Sequence, residues 1–281
     1  MPAPFYRELV YAEDSADLSG NDVTIAQTLL NRWGRQPLLV VDGDFGHASA
    51  AAVKGFQASA RGQLEASGIL DEPTAAALLD CCLADGYRDS GESAGSQGFL
   101  YKVLVPVHQN RSVETTAKLL DANNTELLSF RVRAHGHRDD GSAEDWPDFG
   151  DGDFGLNELS SDGNTPTGLA TIDLNSPEPA DVEEEYGPYP INRVVQGLQG
   201  NMGLLLSDIR SGILLHTGEW PGWDASMDMP NSDGCLHAHP DDVDAIWQAL
   251  VALGVQINDN PYSSKDYPYT PQGLISVELV E

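Results

Sequence analysis

The spacing of apolar residues changes once along this chain, and that change constrains the fold more than any other feature of the sequence. Before residue 89 the apolar side chains recur three and four positions apart, as on one face of a helix. After residue 98 they alternate or form short β-branched runs, which is typical of strands. The segment between them is rich in glycine and serine, as flexible linkers are. The sequence therefore predicts a helical domain over 1–88, a linker over 89–98 and a strand-rich domain over 99–281.

Three helices are expected in the first domain, which would make it a small all-α unit. The first carries its apolar face from Val23 to Trp33, the second has an apolar face ending at Phe56, and the third starts after a cap signal at Asp71. Between the first two helices, the string Asp-Gly-Asp-Phe-Gly at 42–46 predicts a tight turn. No catalytic constellation is visible in this domain.

Residues at spaced positions through the first domain form one ordered pattern. Its members are Asp22, Val23, Gln27, Leu30 and Gly34, then Asp42, Gly43, Phe45 and Gly46, then Ala52, Val53, Phe56 and Gln57, then Gly68, Asp71 and Thr74. Together they resemble the peptidoglycan-binding domain of bacterial wall enzymes over about residues 15–80. The resemblance implies a domain that binds the glycan-peptide polymer of the wall weakly and localises an attached enzyme. The alternative is an unrelated helical bundle.

Short β-branched and alternating runs predict many strands in the second domain, from Leu100 to the alternation over 275–281. One helix stands among them. Pro240 suits its first turn, and Asp241 and Asp242 suit the positive end of the helix dipole. The pattern predicts a mainly-β, sandwich-like domain with one supporting helix.

Cys235 is the only cysteine in the last two-thirds of the chain, and it follows Ser232, Asp233 and Gly234. Taken alone, such a cysteine can be a nucleophile, a metal ligand or a small buried hydrophobe. His216 precedes it by 19 residues, at the end of a predicted strand.

Four landmarks follow one another in the second domain: Thr165-Pro166-Thr167-Gly168, Leu215-His216-Thr217-Gly218, Ser232-Asp233-Gly234-Cys235, and the helix start at Asp241. Together they resemble the L,D-transpeptidase catalytic domain of the YkuD type over roughly residues 100–260. That family pairs a histidine at a strand end with a Ser/Thr-His-Gly-Cys stretch nearly twenty residues later. The resemblance implies a cysteine acyltransferase that acts on peptidoglycan and needs no cofactor.

Acyl transfer from a peptide requires a nucleophile, a base and donors for the developing oxyanion. The resemblance implies that Cys235 attacks, that His216 takes its proton, and that the amides of Gly234 and Cys235 hold the oxyanion. Ser232 is expected to order the turn and Thr217 to support the His216 loop. The terminal D-alanine of a stem tetrapeptide would leave, and a thioester would form. The acceptor stays open among an amine of a neighbouring stem, water and a free D-amino acid, and carbapenem-type inhibitors would acylate the same thiol.

Two positions depart from the family pattern. Asp233 occupies a slot that is usually histidine, and His237 occupies one often filled by arginine or asparagine. A carboxylate beside a thiol raises the pKa of that thiol unless it points away or orients a histidine. One hypothesis is that Asp233 orients His237, so that the pair replaces the missing histidine. Upstream, Thr165 and Pro166 are expected to contact the substrate.

Two other functions are compatible with these residues. A catalytically degenerate wall-binding protein is favoured by Asp233. A zinc hydrolase would draw its ligands from two alternating histidine pairs and the cysteine, namely His135, His137, His237, His239 and Cys235. No paired-ligand zinc signature is present, so no metal is predicted.

The charge of the chain limits its partners. The 15 basic and 44 acidic residues give a net charge of −29, which repels nucleic acid and anionic membranes. No apolar run is long enough to span a membrane, and the amino terminus lacks the pattern of a signal peptide. The wall resemblance nevertheless implies an extracytoplasmic location, in the periplasm or cell wall. An acidic loop over 135–164, which repeats the Asp-Gly-Asp-Phe-Gly string at 151–155, is expected to be solvated.

Overall fold

The chain forms two compact units, Met1–Asp85 and Gly86–Glu281. The computed structural model describes residues 1–34, 37–59, 64–136, 157–160, 163–205, 209–220, 222–261 and 267–280. The second Asp-Gly-Asp-Phe-Gly string and His137 therefore lie outside the described residues. In the part of the chain that is described, no helix is both long and apolar enough to cross a membrane.

Helices dominate the described part of the first unit. They are α1 (Asn21–Arg32), α2 (His47–Gln57) and α3 (Glu72–Cys82). A two-residue strand β1 (Leu18–Ser19) pairs antiparallel with β2 (Asp44–Phe45). The unit is thus helical but not purely α, because the turn before α2 lies beside the residues that precede α1. The predicted apolar faces of α1 and α2 are buried, including Val23, Leu29, Leu30, Val53 and Phe56.

Two buried glutamines fix the two turns of this unit. Gln27 Oε1 accepts from the amides of Asp42 and Gly43 at 3.1 and 3.0 Å, and its Nε2 donates to Asp42 Oδ1 at 2.8 Å. Gln57 does the same for the turn before α3, since its Oε1 accepts from the Gly68 amide at 2.8 Å. A buried amide side chain is stable only when its donors and acceptor are paired, so each glutamine determines the conformation of its turn.

The second unit is built on eight strands and carries two α-helices in its described residues. The strands are β3 (Tyr101–Val107), β4 (Thr115–Asp121), β5 (Glu126–Arg133), β6 (Gly168–Asn175), β7 (Ile191–Gly200), β8 (Leu214–His216), β9 (Leu236–Ala238) and β10 (Gly273–Leu279). The helices are α4 (Glu183–Tyr186) and α5 (Pro240–Ala252).

The strands form a closed barrel in the order β10, β3, β4, β5, β9, β8, β7, β6. Strand β10 closes the ring because it pairs parallel with β3 and antiparallel with β6. The sandwich-like expectation is corrected here, since the strands form one ring rather than two packed sheets. Closure removes the free edges that an open sheet would expose, and alternation in the sequence carries no information about which strands pair.

The interior of the barrel is apolar, and the supporting helix packs onto it. Helix α5 begins at Pro240, and its N-cap His239 accepts a hydrogen bond from the Asp241 amide. Its apolar residues Val243, Ile246 and Leu250 join the same core as the inward residues of the strands. The helix predicted from Pro240 onward is therefore present.

The segment expected as a linker lies against the second unit. The Tyr87 hydroxyl is 2.9 Å from Ser276 Oγ, the Lys102 ammonium donates to Asp89 at 2.8 Å, and Ala94 is fully buried. The boundary between the compact units falls between Asp85 and Gly86. Glycine and serine indicate weak propensity for helix and strand, but they do not prevent a segment from packing when its charged and aromatic residues find partners.

Candidate active site

Two short parallel strands bring the predicted thiol and imidazole to one face of the sheet. In the β8–β9 ladder, Leu215 is opposite Leu236, and both point into the apolar core. Because side chains alternate along a strand, their neighbours point the other way. Leu214 and His216 on β8 therefore share that outer face with Cys235, which directly precedes β9. Pairing between strands thus places the two residues on one face of the sheet, and their catalytic partnership stays a prediction.

The Cys235 thiol is buried, with 8% of the residue exposed. Its sulfur accepts a hydrogen bond from the Leu214 amide at 3.4 Å, and its S–H donates to the Gly212 carbonyl at 3.4 Å. The pKa of the thiol is raised to about 11: burial is the main cause and the charge of Asp233 adds to the rise, while the Leu214 amide and the charges of Arg210 and Arg193 oppose it. The thiol is therefore protonated at neutral pH.

The His216 imidazole is buried and held in one tautomer. Its Nδ1 is 2.6 Å from the Thr217 carbonyl oxygen, which can only accept, so we assign the proton to Nδ1 and a lone pair to Nε2. Burial lowers the pKa of His216 to about 4. Among the described residues, no hydrogen bond joins this ring to the Cys235 thiol. Both the thiol and the imidazole are thus neutral at rest.

The turn before Cys235 is ordered by Ser232, as predicted. The Ser232 hydroxyl donates to the Cys235 carbonyl at 2.7 Å and accepts from the Gly234 amide at 3.2 Å. Gly234 has a φ of +97°, a conformation that side chains with a Cβ rarely adopt. In this state the Gly234 amide, a predicted oxyanion donor, is bonded to the serine hydroxyl.

Thr165 and Pro166 are the residues that the sequence predicts to contact the substrate. Both are buried, and the Thr165 hydroxyl donates to the Gly234 carbonyl at 2.9 Å. The Thr165 amide donates to the Ala134 carbonyl at 3.3 Å. The predicted substrate contact stays a prediction, and in this structure the threonine hydroxyl bonds the backbone of the Cys235 turn.

His237 shares the site face with His216. It is the register partner of His216, and the two rings meet edge to face with centroids 4.7 Å apart. The His237 Nδ1 is 2.8 Å from the Pro230 carbonyl oxygen, so the nitrogen that a carboxylate would orient contacts the backbone instead. Asp233 is exposed, and its backbone carbonyl accepts from Arg210 at 3.1 Å.

Helix α4 lies against the loop that follows His216. The Glu219 amide donates to the Glu184 carbonyl at 3.0 Å, and the Tyr186 ring is 5.0 Å from the His216 ring. Tyr186 also packs against the buried cluster of Ile191, Leu214 and Cys235, and burial raises the pKa of its phenol to about 12. Thr217 is buried, and its hydroxyl has no hydrogen-bond partner among the described residues. The histidine is therefore enclosed by an aromatic ring and a threonine.

Sequence reasoning missed Tyr186 and Arg210. Neither belongs to a motif, since Tyr186 follows a run of three glutamates and Arg210 lies in a polar stretch before β8. The zinc alternative has no support in the described residues, where no three histidine, cysteine, aspartate or glutamate side chains converge on one point. His137, one of its proposed ligands, is outside them.

A protein-family model matches the first unit of the chain. Residues 19–78 match a family model described as a putative peptidoglycan binding domain. This match confirms the resemblance drawn for about residues 15–80. It covers the segment in which Gln27 and Gln57 fix the two turns, so the matching positions have a structural basis in this chain.

Two solved structures resemble the chain at 14% sequence identity. One is the crystal structure of an L,D-transpeptidase (Yku) from Stackebrandtia nassauensis, with a TM-score of 0.32 over 95% of this chain and 95% of that chain. The other is Bd1075 of Bdellovibrio bacteriovorus, with a TM-score of 0.35 over 65% of this chain and 49% of that chain. At these identities and scores neither likeness assigns an activity to this chain. Among curated proteins, none matches the sequence.

Proposed function

We propose that this protein is a peptidoglycan-directed cysteine acyltransferase of the L,D-transpeptidase type. The observation that carries the proposal is the common face of β8 and β9, which bears the Cys235 thiol and an imidazole whose Nδ1 is fixed by the Thr217 carbonyl. The first unit supports the choice of substrate, since residues 19–78 match a peptidoglycan binding domain. The proposed substrate lies outside the cytoplasm, so the protein would act in the periplasm or cell wall.

In the first step, the Cys235 sulfur attacks the carbonyl of the L-centre of the diamino acid in a stem tetrapeptide. The S–H proton passes to Nε2 of His216, and the positive charge that develops on the ring is stabilised through its Nδ1–H by the Thr217 carbonyl. The C–N bond to the terminal D-alanine then breaks. The departing amine takes the proton from His216, which leaves a thioester and a neutral imidazole.

In the second step, an acceptor amine attacks the thioester and gives its proton to Nε2 of His216. The C–S bond breaks, and the proton returns to the sulfur as the thiol leaves. An amine of a neighbouring stem would give a cross-link, water a carboxypeptidase and a free D-amino acid an exchange enzyme. The residues at the site are the same for all three acceptors.

The oxyanion of each step needs donors near the thiol. The amides of Gly234 and Cys235 are the candidates, because they are the two backbone N–H groups that directly precede the sulfur-bearing Cα. The Gly234 amide now donates to Ser232 Oγ over a long 3.2 Å bond. A charged oxygen is a stronger acceptor than a hydroxyl, so substrate would draw this amide away from the serine.

The protonation states of the thiol and the imidazole at rest favour general-base catalysis over a preformed ion pair. Burial keeps the thiol pKa at about 11 and the imidazole pKa at about 4, so transfer of a proton between them at rest is unfavourable. Proton transfer therefore has to accompany attack on the carbonyl, where the developing charge is stabilised by the oxyanion donors.

Covalent trapping tests the proposal. The full chain is incubated with a carbapenem and, separately, with a disaccharide-tetrapeptide, and the mass of the Cys235 peptide and the release of D-alanine are measured. We expect an adduct and D-alanine release in the wild type and in Cys82→Ala, a matched variant at another buried cysteine. Both should be lost in Cys235→Ala. Loss in Cys82→Ala with retention in Cys235→Ala would contradict the proposal.

A second candidate is a wall-binding protein with a degenerate catalytic unit. It is favoured by the raised pKa of the Cys235 thiol, to which the charge of Asp233 contributes. The same experiment separates the two. Cosedimentation with isolated peptidoglycan, without adduct or D-alanine release, is the result expected of the binding protein.

A further inference from the structure

We infer that Arg210 is a positioning residue for the Cys235 thiol: its guanidinium holds the turn at Asp233 and Gly234 in place and sets its positive charge against the carboxylate of Asp233. The inference rests on the proposed function for its catalytic meaning, although its test does not require acyl transfer. It also accounts for an aspartate at the position where the L,D-transpeptidase pattern has histidine.

Arg210 is buried, with 5% of the residue exposed, and it spans two segments of backbone. Its Nη1 donates to the carbonyls of Glu158 and Asn164 at 2.7 and 3.2 Å. Its Nη2 donates to the carbonyls of Gly163 and Asp233 at 3.2 and 3.1 Å. The planar guanidinium presents several donors in a fixed geometry, so these four acceptors are held in fixed relation to one another. One of them belongs to the turn that carries the thiol.

The guanidinium occupies the space that a side chain at Gly234 would need. A Cβ built on Gly234 would lie 1.7 Å from Arg210 Nη2 and 2.8 Å from the Gly163 carbonyl oxygen. The φ of +97° at Gly234 and the position of Arg210 are therefore matched, since the glycine lets the charged group approach the backbone. The cation contacts the residue whose amide is the proposed oxyanion donor.

Four charged or ionisable groups act on the thiol from the surrounding elements. Arg210 before β8 and Arg193 on β7 are cations, and both oppose the rise in the thiol pKa. Asp233 on the turn adds to that rise. Tyr186 on α4 packs against the cluster that contains Cys235 and stays neutral, because burial raises the pKa of its phenol to about 12. Of these two cations, Arg210 also bonds the Asp233 backbone carbonyl. A change at Arg210 therefore alters both the position of the turn and the charge near the thiol.

The test measures how the rate of Cys235 alkylation by iodoacetamide depends on pH, read from the Cys235 peptide by mass spectrometry. Only the thiolate reacts, so the profile reports the ionisation of this thiol in the folded protein. We expect Arg210→Met to slow alkylation at fixed pH by about 3- to 10-fold and Asp233→Asn to accelerate it by a similar factor. The double variant should return close to the wild-type profile.

A matched control is Arg111→Met. Arg111 is as buried as Arg210, pairs with Glu158 and donates to the Thr165 carbonyl at 3.3 Å, yet it is not among the charges that act on the thiol. It should lower the melting temperature and leave the alkylation profile unchanged. Arg210→Lys keeps the charge without the planar donors, and it serves if the methionine variant does not fold. Its profile should stay near that of the wild type while carbapenem acylation slows.

Three outcomes separate this inference from the proposed function. A shifted profile in folded Arg210→Met supports the inference even if the wild type forms no carbapenem adduct. A wild-type profile in folded Arg210→Met overturns it, whether or not the enzyme is active. An Arg111→Met profile shifted as much as that of Arg210→Met also overturns it, because the effect would then follow from general destabilisation.

Discussion

His216 and His237 are register partners on adjacent parallel strands, and their rings meet edge to face with centroids 4.7 Å apart. Each Nδ1 faces a backbone carbonyl, that of Thr217 for His216 and that of Pro230 for His237. Both imidazoles therefore have the same tautomer on the face that carries Cys235. Residue type alone does not say which of them takes the thiol proton.

Glutamine at each histidine distinguishes the two imidazoles. We expect His216→Gln to slow carbapenem acylation by about 10²- to 10⁴-fold, the usual contribution of a general base. His237→Gln removes an aromatic contact but not the proposed base, and we expect it to cost less than about tenfold. The measurement is the rate of adduct formation by mass spectrometry. A larger loss in His237→Gln would assign the base to His237.

Lowering the pH should destabilise the wild type more than His216→Gln. The folded pKa of His216 is about 4, below its ordinary value of 6.5. Between these values the unfolded chain binds a proton that the folded protein does not, so stability falls as the pH drops from 6.5 to 4. The contribution is up to about 3 kcal/mol. Urea unfolding of both proteins across this range measures it, and parallel pH profiles would contradict the prediction.

Alanine at Gly234 should be far more disruptive than alanine at Gly98. Both glycines have positive φ, so each substitution carries a backbone cost of about 1–2 kcal/mol. A Cβ at Gly98 meets nothing within 4 Å, whereas one at Gly234 would displace Arg210. We expect Gly234→Ala to lose at least about 2 kcal/mol more, the scale of hydrogen bonds to a charged group. Equal losses in chemical denaturation would show that Arg210 yields without cost.

Gln27→Ala should destabilise the first unit. The change removes the acceptor of the Asp42 and Gly43 amides, so a cost of about 1–3 kcal/mol is expected from the unpaired buried groups. Thr28→Ala is the control in the same helix, since that hydroxyl donates to the Thr24 carbonyl within α1. Peptidoglycan cosedimentation should weaken with Gln27→Ala and not with Thr28→Ala. Unchanged binding and stability in Gln27→Ala would contradict a role for this turn.

The helices of the first unit could be predicted because the sequence patterns that indicate them are local. The apolar spacing of α1 and the cap at Asp71 each involve residues within a few positions of one another, and Asp71 does accept from the Thr74 amide at 3.0 Å. The matched spacing of Gln27 with 42–46 reflects a hydrogen-bonded turn. These features are visible in the sequence because the interacting residues lie in one helix or in the turn next to it.

Only part of the candidate site could be predicted from the sequence. The spacing of His216 and Cys235 indicated the pair, but their common face depends on the parallel register of β8 and β9, which are three residues each. Strands so short show no alternation to read. Arg210 gave no signal, because its partners are backbone carbonyls whose residue types do not matter. The segment 89–98 was expected as a linker because Lys102 and Glu278, the partners of Asp89, lie outside it in the sequence.

The place of β10 in the barrel has a consequence for synthesis. Gly273–Leu279 fills the gap between β3 and β6, so a nascent chain that already includes His216 and Cys235 still has an open sheet. The thiol is therefore synthesised before the ring can close, at a stage when the fold that buries it and raises its pKa is incomplete. During that interval Cys235 is more exposed to oxidation and to mispairing with Cys81 or Cys82 than it is in the folded chain.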